Sequence, residues 1–422
     1  MLAAALLILL TTQTIETAWG QLSHGETPGM PGAELDELLA TVRRMSPELM
    51  AQALEAEAAL ERVEAEGTLP DPVLRLELQD IERRDGSPLP ESPGGATLTL
   101  EQEFPLWGKR TLRKGVARAE ADMAQAERRG VEAELMTRLK TAYAALHAAH
   151  QGLKLTRELA RSVAAIAALA GSRYTQGLGG QQEAIAAEIE KVRLETEIVQ
   201  LEEDRQQAEA QLNALLGRPA GTLFVVPRGL RPLPPEDDLR LPELVERALR
   251  ASPALAAGQA RIAAAVGSRE LVERSWYPDV TLGLSVVEES RRIMGYEAMV
   301  ELTLPLQWGV RKAQAREATT RVAAAQAARA ATARQLEGEL GAALARLSVA
   351  RRLADILHAQ HLPRARLAFT TALQAFELDQ VELGEVLEAE RRVRTTELEH
   401  LAVLVQQQEQ LAEIERLVGG DP

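Results

Sequence analysis

Four of the six histidines come in two pairs, His147-Ala-Ala-His150 and His358-Ala-Gln-His361. An i, i+3 spacing sets two imidazoles on one helix face, which begins a transition-metal site if further ligands arrive from elsewhere. No cysteine can supply one, because the chain has none. The pairs also fail to complete one another. His147 lies 27 residues before Tyr174 and His358 lies 18 before Phe376, two matched landmarks of an internal repeat. Equivalent helices would therefore hold the pairs about 13 Å apart in height. Packing between helices is favoured over a metal relay. No glycine-rich phosphate loop, nucleophile elbow or His/Cys cluster accompanies the histidines, so no enzyme, catalytic residue or cofactor is expected.

The repeat is what must position these residues. Glu103 to Arg110 reads EFPLWGKR and Leu304 to Lys312 reads LPLQWGVRK, in a chain whose aromatics are only 3% of 422 residues. Leu38 to Leu49 (LLATVRRMSPEL) matches Leu244 to Leu255 (LVERALRASPAL), Leu69 to Leu78 matches Tyr277 to Val286, and Tyr174 to Glu188 matches Phe376 to Glu390. Between the copies, Gly217 to Arg240 carries five prolines, which forbid a helix there. The expected division is a signal peptide over 1–20, a first repeat over 21–216, a Pro-rich linker over 217–240 and a second repeat over 241–422.

Composition narrows the class. Ala, Leu, Glu, Arg and Gln dominate, as in long packed helices. A net charge of -14 excludes nucleic acid as a partner, since binding phosphates needs a basic surface. Leu2 to Leu10 is an apolar run of signal-peptide length, with no Lys or Arg before it, and Ala18-Trp19-Gly20 offers a cleavage site. No later segment reads as a transmembrane helix, so any span of a membrane must be made of strands.

Four segments alternate with period two, over about 72–80, 96–104, 279–287 and 296–304. Leu74, Leu76 and Leu78 fall on one face and Arg75, Glu77 and Gln79 on the other. The pattern fits tilted transmembrane strands with apolar side chains toward lipid, and equally a soluble hairpin on a helical core. Long helices are expected over 108–173 and 309–375, the second kinked by Pro363, with returning helices over 180–216 and 384–418. Entering helices over Leu35 to Glu66 and Pro242 to Ser275, stacked on the returning ones, would match the long legs in length. Four transmembrane strands cannot close a barrel, and symmetric association is the remedy.

At this point the sequence resembles the TolC-type outer-membrane efflux factors. The words that carry the resemblance are the PL-x-x-G junctions at Pro105 and Pro305, the AL-x-x-SP-x-L entry at Ala248 to Leu255, and F-x-x-x-Q-x-x-LGEVLEAE at Phe376 to Glu390. The resemblance implies a mixed α/β membrane protein: a homotrimer whose twelve-stranded outer-membrane β-barrel continues into a periplasmic α-helical barrel. It implies as partners a periplasmic adaptor (membrane fusion protein) and an inner-membrane efflux pump of the resistance-nodulation-division type. FPLWGKR is most similar to the branch serving heavy-metal pumps for cobalt, zinc, cadmium or copper. The rival reading is a periplasmic coiled-coil adaptor or scaffold, although such proteins usually carry one hairpin and not two with strand pairs.

The resemblance also assigns roles. Glu183, Glu385 and Glu388 would narrow the periplasmic aperture and select cations. Tyr174, Gly177, Gly179, Gly180, Phe376, Asp379 and Gly384 would form the tip turns that dock the adaptor, with Asp379 standing where a glycine is expected. Gly177, Gly179 and Gly180 are expected to take positive φ. Phe104, Pro105, Trp107, Gly108, Trp276, Tyr277, Pro305, Trp308 and Gly309 would form the junction of barrel and tunnel. There the aromatics mark the edge of the lipid and each glycine turns the chain into its long helix.

Overall fold

A computed structural model of the chain describes residues 34–79, 95–177, 179–289 and 292–420. The expected signal peptide and nearly all of the polar turn Ile81 to Gly95 lie outside these residues. Each half runs helix, helix, strand, strand, long helix, returning helix. The first half contains α1 (Leu35–Met45), α2 (Pro47–Gly67), β1 (Val73–Gln79), β2 (Gly95–Phe104), α3 (Lys109–Thr175) and α4 (Gln181–Leu215). The second contains α5 (Leu241–Ala251), α6 (Pro253–Arg274), β3 (Val280–Glu289), β4 (Arg292–Leu302), α7 (Trp308–Ile356), a π-helical segment (Leu357–His361), α8 (Leu362–Glu377) and α9 (Leu383–Val418).

The entering helices are not single rods, as expected, but are broken at Ser46-Pro47 and Ser252-Pro253. The residue before proline is driven out of the helical region, and Ser46 and Ser252 have ψ of 121° and 123°. Each proline then sits at the start of the next helix, where its missing N–H costs nothing. The Pro363 kink also takes a different form. The ladder widens into a π-turn just before it, so Pro363 falls in the first turn of α8.

Helix α3 runs 67 residues without interruption, about 100 Å. Its buried face is built largely from alanine, including Ala117, Ala121, Ala142, Ala144 and Ala149, so neighbouring helices approach closely. The two repeats make matching cores. Leu38, Val42 and Leu49 pack with Leu135, Leu139, Leu212 and Leu216. Leu244, Ala248 and Leu255 pack with Leu336, Leu340, Ile414 and Leu417. A third cluster near the turns joins Val163, Ile166, Ala187, Leu194, Phe376, Leu383 and Leu387 from both repeats. The linker is strapped to the helices: Asn213 donates to the carbonyls of Ala220 and Thr222 at 3.1 and 2.8 Å, and Arg231 pairs with Glu415 at 2.8 Å.

The strands form one antiparallel sheet in the order β1-β2-β3-β4, so the two repeats meet at β2–β3. β4 begins earlier and ends earlier than the sequence pattern suggested, and a bulge opposite Val287/Glu288 shifts its register. The faces are inverted relative to a soluble sheet. Leu74, Leu76, Leu98, Leu100, Leu282, Leu284, Val300 and Leu302 stand exposed, with Leu284 at 68%. On the other face Thr99 and Ser285 share a 2.9 Å hydrogen bond and Arg75 pairs with Glu101 at 2.9 Å, and Thr99, Ser285 and Glu101 are buried. Among the described residues no helix is long and apolar enough to cross a membrane.

Candidate functional site

The first of two constellations lies where the sheet becomes helices. Pro105 ends the β2 ladder just after Phe104, and Trp107 and Gly108 follow with φ of 62° and 77°. A tryptophan tolerates the left-handed region only when its surroundings hold it there. Trp107 packs on Tyr277 with ring centroids 5.0 Å apart, and its Nε1 donates to the Pro278 carbonyl at 2.9 Å. Lys109, buried at the start of α3, donates to Asp279 Oδ2 and to the Tyr277 carbonyl, each at 2.8 Å. Asp279 Oδ1 accepts from the Leu106 amide at 3.2 Å. The clasp ties the first repeat's long helix to the second repeat's strand entry.

The second junction is not a copy of the first. Trp308 opens α7 and sets its ring edge-on to Trp276 at 6.0 Å, and Pro305 stands between β4 and α7. Gly309 is helical, not a turn residue as expected, because Trp308 and not the glycine begins the helix. Two arginines missed in the sequence are common to both junctions. Arg110 donates to the Gly67 carbonyl at 3.2 Å, and Arg311 donates to the Ser275 carbonyl. Each thereby caps the carboxyl end of the entering helix beside it, where unpaired carbonyls favour a cation. Their signal was the matched Arg in WGKR and WGVR.

The second constellation lies at the turns. Of the three glycines expected at positive φ, only Gly177 takes it, at 73°. Gly180 is extended with φ of -76° and caps α4, and a side chain on Gly179 would meet Arg173 Cβ at 3.2 Å. Tyr174 is exposed in the last turn of α3. Gly384 lies in the first turn of α9, not in the turn. Asp379 adopts φ of 56° and so fills the glycine's place itself. Its carboxylate accepts a hydrogen bond from Arg173, whose guanidinium also lies 5.3 Å from the ring centre of buried Phe376. Arg173 thus fastens one turn to the other. Asp379→Gly is expected to keep the turn but loosen this tie, whereas Asp379→Val should cost a further ~1–2 kcal/mol through strain. Proteolysis of the turn in the two variants, compared with the wild type, checks the order.

Glu183 stands in the first turn of α4 and Glu385 in that of α9, where helix dipoles favour negative charge. Glu388 follows one turn later, and Arg391 lies 3.2 Å from it. Glu385 borders an open groove on α8 lined by Leu367, Ala368, Ala372 and Val381. A buried charge cluster lies just beyond. Arg394 Nη2 donates to Glu190 Oε1 at 2.8 Å and Arg391 Nη2 to Glu190 Oε2 at 2.6 Å, while Glu197 Oε2 lies 3.0 Å from Arg394 Nη1. Burial alone would raise the Glu190 carboxyl, but the two guanidinium bonds outweigh it and hold it below the usual range. Sequence reasoning missed this cluster, and its one signal was the pair of stripes Leu383, Leu387, Glu390, Arg394 and Ala187, Glu190, Leu194, Glu197. The charges continue an apolar i, i+3/i+4 pattern.

The histidines of the two pairs make contacts along and between helices. His150 Nδ1 donates to the Leu146 carbonyl at 3.0 Å, and burial holds the His147 imidazole below its ordinary range. His358, on the π-segment, instead stacks on His400 of α9 at 5.3 Å. Among the described residues no group of three or more His, Asp or Glu side chains could hold a metal ion.

Comparison with known proteins places this geometry. The chain is 27% identical over 358 residues to the cobalt-zinc-cadmium resistance protein CzcC of Cupriavidus metallidurans, covering 83% of this chain and 81% of that one. Its fold is similar to the outer membrane protein VceC of Vibrio cholerae (TM-score 0.77, 19% identity, 92% of this chain and 97% of that chain). It is also similar to the CmeC outer membrane channel of Campylobacter jejuni (TM-score 0.78, 14% identity, 94% and 90%). The outer membrane efflux protein family model matches residues 38–218 and again 244–420, one match to each repeat. The chain belongs to the outer membrane efflux protein family.

Proposed function

We propose that this outer-membrane efflux channel works as a homotrimer whose three four-stranded sheets close one twelve-stranded barrel above a helical tunnel. The observation that carries the reading is the inverted sheet, apolar outside and polar inside, with β1 and β4 as open edges. The helices leave two matching edges. One exposes Met50, Leu54, Ile185, Ile189, Val192 and Val199 on α2 and α4, and the other exposes Val349, Leu353 and Leu367 on α7 and α8. Ile185 and Val192 occupy the repeat positions of Leu387 and Arg394, which are buried within the chain. A second copy applied in the same sense would bury them too.

The likeness to a cobalt-zinc-cadmium resistance protein supports divalent heavy-metal cations as cargo. A periplasmic adaptor at the tip turns and a resistance-nodulation-division pump in the inner membrane complete the assembly. Glu183, Glu385 and Glu388 then act as a cation-selecting aperture, with carboxylates multiplied by symmetry. The repeats, 21–216 and 241–422 about the linker 217–240, serve as the two quasi-equivalent staves of each protomer. One reconstitution tests the reading. Purified protein should run as a trimer on unheated gels and conduct cations in preference to anions, and changing all three glutamates to glutamine should lower that preference severalfold. A monomer, or a selectivity untouched by the substitutions, would overturn it.

A further inference from the structure

The seam between the returning helices α4 and α9 is closed by charge. Arg391 and Arg394 reach across it to Glu190 and Glu197, and Arg391 also holds Glu388 of the candidate aperture. Within this cluster Glu390 is fully buried, yet neither of its carboxylate oxygens accepts a hydrogen bond. Its contact with a cation is Arg394 Nε at 3.9 Å, too long for a hydrogen bond, and that guanidinium is already committed to Glu190 and Glu197. The repeat equivalent of Glu390 is Glu188, which is exposed and pairs with Lys191 at 2.8 Å. The same residue type is therefore buried at one of two matched places.

We propose that Glu390 is a proton-operated latch of the α4–α9 seam, holding the turn end of the channel together while neutral and parting the two helices when ionised. With Glu390 neutral, two arginines balance Glu190 and Glu197. Ionisation adds a third negative charge to a buried site where neither Glu390 oxygen accepts a hydrogen bond, and the remedy is to let water reach the seam.

The charges acting on Glu390 are Arg394 and Arg391 on its own helix and Glu190 and Glu197 on α4. The neighbouring stretches of α3 and α8 contribute apolar groups, Val163, Ile166 and Phe369, to the adjoining cluster. Burial, the largest influence, pushes the Glu390 carboxyl up from 4.5 to about 7. A carboxyl raised in the closed seam favours closure while protonated in both states, and that advantage is lost as pH climbs from about 4.5 to about 7. The parted population should rise by up to about tenfold per pH unit across that window and level off above it. Glu190 has the opposite sign, but its shift acts below its ordinary value of 4.5, outside the window.

The inference rests on the aperture reading only for its effect on conduction, and the test separates the two. Because the chain lacks cysteine, Lys191→Cys and Thr395→Cys place spin labels on a half-buried position of α4 and an exposed position of α9 and nowhere else. The interlabel distance in the assembled full chain, diluted with unlabelled protein, is measured from pH 5 to 8 beside single-channel conductance. The wild-type distance should lengthen as pH rises, and Glu390→Gln should hold the short distance throughout. Glu388→Gln should keep the response. His358 and His400 remain in every variant, so they cannot mimic the loss. Glu390→Leu gives the same reading if the glutamine variant assembles poorly. A wild-type distance independent of pH, or a response that survives in Glu390→Gln, overturns the latch. A pH-dependent distance with constant conductance upholds the latch and overturns the aperture reading.

Discussion

Replacing Arg394 with alanine is expected to destabilise the chain by about 3–5 kcal/mol, the cost of stripping the partner from buried charge. The side chain is 2% exposed and is shared by Glu190, Glu197 and Glu390, of which Glu190 is equally buried. Its removal leaves carboxylates facing one another across the α4–α9 seam, with Arg391 as the remaining cation from α9. Arg394→Lys should recover only part of the loss, because an ammonium cannot serve several carboxylates in the fixed fork of a guanidinium. Removing both ends of the pair should cost less than removing one. Arg394→Met combined with Glu190→Gln, which leaves no orphaned strong charge in that pair, is expected to be more stable than Arg394→Ala alone. Denaturant midpoints of the detergent-solubilised protein order the variants. A double variant no better than the single one would mean that the guanidinium acts through packing and not through charge.

Much of the fold was legible because it is written twice. A strand pair and a long proline-free helix, each repeated with matched flanking words, leave few architectures open. The departures have local causes. Ser46-Pro47 and Ser252-Pro253 lie inside periodic helical patterns, so periodicity ran straight through breaks that proline geometry imposes. Pro363 was expected to kink α7, but a kink need not occur at the proline itself if the ladder can widen a turn earlier. The glycines misled in the other direction. Gly180 and Gly309 were read as turn residues from their type, whereas the left-handed positions went to Trp107, Gly108, Gly177 and Asp379. Which residue of a turn carries positive φ depends on contacts made across the repeats, as Trp107 on Tyr277 and Asp379 with Arg173 illustrate.

The charge cluster was concealed for a different reason. Glu390 and Arg394 are an i, i+4 pair of opposite charge, the usual mark of a solvated helix face. Their burial follows only when Leu383 and Leu387 are seen to lie on the same stripe, and the stripe has meaning only once α4 is known to lie against it. Sequence can place a charge on a face, but what covers that face is a tertiary fact.

Leu284→Arg should abolish accumulation in the outer membrane, while Glu297→Arg, on the opposite face of the same sheet, should not. Leu284 is at the middle of β3, paired with Leu100 on one side and Ala298 on the other, and its side chain is among the most exposed of the large apolar groups. An arginine at the midplane of a barrel's lipid face costs about 2–4 kcal/mol, and an assembly of identical chains incurs it once per chain. Glu297 pairs with Ser285 on the neighbouring strand, so its side chain shares the polar face, where a charge stays in water. The period of a strand makes the comparison sharp, because adjacent residues at one height see opposite environments. Membrane fractionation measures the first effect, and the second should appear instead as a changed ion preference of the channel. Equal recovery of both variants would mean that the two faces meet the same solvent, and the sheet would then be a soluble hairpin pair despite its exposed leucines.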